Sequence, residues 1–177
     1  RSAKLVLPQH AARCVAPLVE RVVCVHRVVA EELVEAAMEG VRPVHNLNPA
    51  AIRIDKSLGD EVGLKNIGVH LISIAPGDKS TEFHTHRYEE EAIYVLSGCG
   101  TEIIGDQTYK IGPGDFIGFP AAGAPHETVN DGQEPLVCLV IGQRLAQDVV
   151  DYPKKGKRLF RNSGERNLVD HEQIAKG

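Results

Sequence analysis

The sequence predicts an all-β domain, and three observations predict it. Short runs rich in β-branched and aromatic residues follow one another between about residues 45 and 145. Gly, Pro, Asn and Asp cluster between those runs. No apolar period of three to four residues interrupts them, so crossover helices and a parallel sheet are not expected.

The expected strands are Gly68 to Ala75, Ala92 to Leu96, Thr101 to Ile104, Gln107 to Ile111, Asp115 to Phe119, Glu127 to Asn130 and Leu136 to Gly142. Gly105-Asp106 reads as a two-residue hairpin turn. Pro76-Gly77-Asp78, Gly98-Cys99-Gly100, Gly112-Pro113-Gly114-Asp115 and Asn130-Asp131-Gly132 mark the other turns. Short strands at this even spacing make a sandwich or a closed barrel.

The flanks differ in texture. Residues 1–44 form an N-terminal extension that is expected to be helical. Leu18, Val22, Val25, Val29, Leu33 and Ala36 recur at helical spacing between Pro17 and Glu39, and Gly40 suits the residue past the end. Residues 146–177 read as a polar tail with a basic cluster of Lys154, Lys155, Lys157, Arg158 and Arg161. A solvated arm over the barrel or a second subunit is the expectation there, with anion or phosphate binding as the sharper alternative.

Bulk properties exclude several functions. The chain has 177 residues, enough for one domain with a core. Net charge is -4 and the isoelectric point about 6.1, so no global positive field draws it to nucleic acid or an anionic membrane. No apolar run approaches the ~18–20 residues of a membrane span. The four cysteines, Cys14, Cys24, Cys99 and Cys138, form no CxxC pair. They are expected to be reduced in a cytoplasmic protein.

Chemistry concentrates between Gly77 and Gly98. In a strand, residues i and i+2 share a face, so His84 and His86 aim at one point. A carboxylate from Glu89-Glu90-Glu91 and a third imidazole, His126, complete a candidate shell. Three neutral imidazoles and a carboxylate suit one divalent ion: Fe, Mn, Ni, Co or Zn. Glu82 shares parity with the histidines and is a candidate further carboxylate, unless the strand enters the barrel only after it. If Glu91 faces inward, so do Ile93 and Val95, with Tyr94 outward. Phe116 or Phe119 is expected as an apolar wall. His70 is expected in the core or on the surface, with a place in the pocket as the alternative.

The stretch resembles the cupin superfamily. Gly77, His84, His86, Glu91 and Gly98 match its first motif, with one extra residue between Gly77 and His84. Glu91, among the three glutamates, satisfies the spacing on both sides. Gly114, Pro120, Gly123, His126 and Asn130 match the second motif, with one extra alanine before Gly123. The resemblance covers about residues 66–143. It implies a double-stranded β-helix, a jelly-roll-like barrel, and a divalent metal held by His84, His86, Glu91 and His126. It implies a small-molecule ligand and a homodimer, with no nucleic acid or membrane partner. For activity it implies sugar or sugar-phosphate isomerisation, or dioxygenation. The alternative is a non-catalytic protein that binds or senses a sugar-like ligand.

Overall fold

Alternation along the central strands sorts apolar from polar residues and builds a β barrel around the apolar side. A computed structural model describes residues 44–45 and 47–175. The helix expected between Pro17 and Glu39, with Cys14, Cys24, His10 and His26, lies outside the described residues.

The strands are β1 (Val44–His45), β2 (Asn48–Ile52), β3 (Ile54–Ser57), β4 (Ile67–Ile74), β5 (Thr85–His86), β6 (Glu91–Ser97) and β7 (Gly100–Ile104). They continue with β8 (Gln107–Ile111), β9 (Phe116–Phe119), β10 (His126–Val129) and β11 (Leu136–Gln143). The last three are β12 (Gln147–Tyr152), β13 (Lys157–Asn162) and β14 (Glu165–Asp170). A single helical turn, α1 (Leu58–Glu61), follows β3 with the Ser57 hydroxyl capping Asp60 N–H.

Every strand pairing is antiparallel. One sheet runs β3-β4-β11-β6-β9, a second β10-β7-β8, and a third β14-β13-β12-β5. Ile72, Ile74, Val95, Leu136 and Cys138 of the first sheet pack against Ile111 of the second in one buried core. The expected strands all form, within two residues at each end.

The register explains where a site can lie. Leu136 pairs with Ile74, Cys138 with Ile72, Val140 with His70, and Gly142 with Gly68. On the other side of β11, Cys138 pairs with Val95, Val140 with Ile93, and Gly142 with Glu91. Read in order, this inward column passes from aliphatic to polar. One end of the barrel is therefore a packed core, and the other opens into a cavity.

Two glycine positions fix the turns. Gly98 has φ 78°, and a Cβ there would come within 2.3 Å of the Pro135 carbonyl oxygen. Gly105 has φ 58° at the first position of the β7–β8 turn, as a two-residue hairpin requires.

The polar tail is a correction. Residues 147–170 are not a solvated arm but a three-stranded meander, β12-β13-β14, stitched to β5. All five cations of its basic cluster meet carboxylates: Lys154 with Glu127, Lys155 with Glu82, Lys157 with Asp170, Arg158 with Asp151, and Arg161 with Glu89. Lys154 also lies 4.1 Å above the Phe83 ring. Two of these pairs close within the meander, and three reach carboxylates of distant segments, Glu82, Glu89 and Glu127.

Candidate metal centre

The open end of the barrel gathers the histidines through three separate pieces of chain. His84 and His126 form an antiparallel bridge, exchanging backbone hydrogen bonds of 3.1 and 2.8 Å. His86 ends β5 beside β12, and Glu91 begins β6. The ring centroids of His84 lie 5.0 Å from those of His86 and 4.6 Å from those of His126. His84, His86 and Glu91 each present a ligand atom within 4.8 Å of the others. Glu91 Oε2 stands 3.9 Å from His84 Nε2 and 3.4 Å from His126 Nε2.

Outer contacts decide which nitrogen of each ring faces inward. His84 Nδ1 donates to the Glu82 backbone carbonyl at 2.9 Å, which leaves Nε2 as the bare nitrogen. His86 Nδ1 donates to Asp148 Oδ2 at 2.6 Å, which again leaves Nε2 bare. Phe119 stacks flat on His126, with centroids 3.6 Å apart and planes 6° apart. The Nδ1 of His126 is buried with no hydrogen-bond partner.

Charge states follow. Burial, with His126 alongside, pushes the His84 ring down to about 3, so it is neutral. Burial opposes ionisation of Glu91, but the bond from His126 and the three imidazoles hold its carboxyl down to about 2. Burial likewise opposes charge on His86, yet the bond to Asp148 raises it above the ordinary histidine value. The unprotonated Nε2 of His84, the ionised Glu91 carboxylate and the imidazoles of His86 and His126 face one another inside a buried pocket. Nitrogen and oxygen donors of this kind fit a divalent ion.

The cavity above has a volume of about 520 Å³. His86, Glu91 and His126 line it, with Thr128, Ser80, Ile72 and Ile93 deeper in. His70 joins them on the wall, its Nδ1 bonded at 2.8 Å to Asp55 Oδ1 and its Nε2 3.4 Å from Arg144 Nη2. Below His126, Glu102 is fully buried and accepts from the Thr128 hydroxyl at 2.7 Å. Burial pushes the Glu102 carboxyl up to about 7.

Comparison with known proteins places this geometry. The family model described as the cupin domain matches residues 70–142. A protein from Acidithiobacillus ferrooxidans, provisionally named a sugar phosphate isomerase, is 57% identical over 84% of this chain and 95% of its own, with a TM-score of 0.81. The chain belongs to the cupin superfamily. A cupin-superfamily protein from Silicibacter pomeroyi, named a sugar phosphate isomerase, is 27% identical over 78% of this cupin and 88% of its own chain, with a TM-score of 0.69. Among curated proteins none matches this chain. Among the described residues, no helix is long and apolar enough to cross a membrane.

Of the residues predicted from sequence, the cupin barrel brings His84, His86, Glu91 and His126 together. Glu89 and Glu90 turn elsewhere. Glu89 accepts from Leu145 N–H at 2.6 Å and lies 3.6 Å from the outer nitrogen of His86. Glu90 is exposed. Glu82 is buried, but it serves the site through its backbone carbonyl rather than its carboxylate, which faces Lys155. Ile93 and Val95 face inward and Tyr94 outward. Phe119 supplies the apolar wall, while Phe116 is exposed. His70 belongs to the cavity rather than to the core or the open surface.

Sequence reasoning missed Asp148, Asp55 and the cavity-lining arginines Arg53, Arg144 and Arg166, and it met Arg161 only as a member of the basic cluster. The β-branched pair Val149-Val150 beside Tyr152 is a local strand signal from which Asp148 could have been placed.

Proposed function

We propose that this cupin binds one divalent metal ion through His84, His86, Glu91 and His126 and uses it to isomerise a small sugar-like metabolite. One observation carries the reading: ligand atoms of His84, His86 and Glu91 lie within 4.8 Å of one another beside a cavity whose wall holds a further histidine, His70. The names of the two relatives from Acidithiobacillus and Silicibacter point the same way.

A bound divalent ion supplies a Lewis acid for a carbonyl and its neighbouring hydroxyl. The chain supplies the base. Asp55 accepts the Nδ1 proton of His70 and so leaves Nε2 free to take a proton. Arg144 Nη2 lies 3.4 Å from that nitrogen. His70 Nε2 removes the proton from the hydroxyl-bearing carbon next to the carbonyl and returns it to the former carbonyl carbon, while the proton of that hydroxyl passes to the former carbonyl oxygen. The proton balance closes with no oxidant or reductant. The aliphatic floor of Ile72, Ile93 and Val140 keeps bulk water from the reacting carbons.

The test begins with mass-spectrometric metal analysis of the purified protein, followed by aldose–ketose conversion and O2 uptake over a sugar panel. One divalent ion per chain is expected, with turnover and metal both lost in His84→Ala. In His70→Asn turnover is lost and the metal stays. Full activity in His70→Asn removes the base assignment. Failure to bind any divalent metal removes the whole reading, and O2 consumption in place of isomerisation redirects it to oxygenation.

A further inference from the structure

We infer that Arg161 and Arg166 form a seat for a phosphate monoester at the mouth of the cavity. The two arginines reach it by register. Ser163 and Gly164 take φ 48° and 92° in a two-residue turn between β13 and β14. That turn sets Arg161 directly opposite Arg166. Directly opposed residues share a face of the sheet with their Cβ atoms about 5 Å apart, and like charges there destabilise the pair. Both side chains line the same cavity as His86, Glu91 and His126. The fold thus holds two cations together at the edge of a ligand site.

Their other contacts leave room for an anion. Arg161 touches the Glu89 carboxylate and lies 3.8 Å from Asp148, but its Nε is buried and has no hydrogen-bond partner. Arg53 and Arg144, the other arginines of the cavity, are each committed to an aspartate, Asp55 and Asp60. Arg166 has no carboxylate partner among the described residues. A doubly charged phosphate with three terminal oxygens suits two planar guanidiniums better than a carboxylate does. A cavity of about 520 Å³ admits one small molecule that reaches from this seat to the histidines. The inference rests on the proposed function only for the other end of that molecule.

Titration calorimetry with inorganic phosphate tests it, on the full chain both metal-loaded and chelator-stripped. Phosphate binds both forms, and acetate binds more weakly. Arg166→Gln, at an exposed position, weakens phosphate about tenfold or more with an unchanged melting temperature, and Arg166→Lys restores part of the loss. Absence of phosphate binding by the wild type overturns the inference. So does equal affinity in Arg166→Gln, or acetate binding as tightly as phosphate. Binding that vanishes on chelation also overturns it, because the phosphate then sat on the metal. If no metal binds at all, yet Arg166→Gln still loses phosphate, the metal reading fails and the seat stands.

Discussion

His86 Nδ1 lies 2.6 Å from Asp148 Oδ2, across 62 residues of sequence and between two strands, β5 and β12, paired at His86 with Val150 and Thr85 with Asp151. Asp148 orients the ring, fixes its tautomer and raises its basicity, which are the jobs of an outer partner to a metal-binding imidazole. Asp148→Asn should weaken divalent-metal affinity about 10–100-fold with little change in fold. Competition against a metal-sensitive dye measures it. An unchanged affinity would show that His86 is not a ligand or needs no orientation.

The Asp55–His70 pair separates proton transfer from metal binding. Asp55→Asn should lower kcat about 100-fold or more in an active preparation while metal content stays constant. A change confined to KM would assign Asp55 to ligand positioning instead.

Glu102 makes stability depend on pH in an unusual direction. Burial lifts its folded value to about 7, against about 4.5 for the ordinary carboxyl, so the native state holds the proton longer than the unfolded chain. Its contribution is present below about pH 4.5 and is lost as pH rises through about 7. Glu102→Gln should flatten that slope in the chelator-stripped protein and stabilise it at about pH 8, by an amount on the order of 2–3 kcal/mol. Urea melts across that range measure it. An unchanged slope would mean that another group carries the dependence.

Asn130 is buried and ties three pieces of backbone together. Its side-chain nitrogen donates to the Ile74 and Glu134 carbonyls at 2.7 and 2.8 Å, and its oxygen accepts from Gly132 N–H at 2.9 Å. Asn130→Ala should cost about 2–4 kcal/mol by leaving those groups unpaired in the interior. The midpoint of urea unfolding measures it.

Much of this was legible in the chain. The strands between Gly68 and Gly142 could be placed because turn residues bracket alternating runs, and local chemistry decides such boundaries. Glu91 could be separated from Glu89 and Glu90 because it alone satisfies the motif spacing on both sides, after His86 and before Gly98. What stayed hidden depends on contacts across long stretches of sequence. Asp148 and Arg161 read as surface charge because their partners, His86 and Glu89, lie 62 and 72 residues away. His70 read as ordinary because nothing local announces Asp55, which reaches it only through the pairing of β3 with β4. The meander was taken for an arm because its apolar residues are few and its ion pairs need a tertiary fold to form.

The attachment of that meander has a thermodynamic consequence. The chain from Gln147 onward is joined to the barrel by the strand pairing of β12 with β5 and by ion pairs from Lys154, Lys155 and Arg161, and the His86–Asp148 bond lies at the β5 seam. An ion held by His86 would bias the docking of the last thirty or so residues, and their docking would bias the ion, each by the same free energy. Amide exchange along β12 and β13 would then report occupancy of a centre to which those strands contribute no ligand.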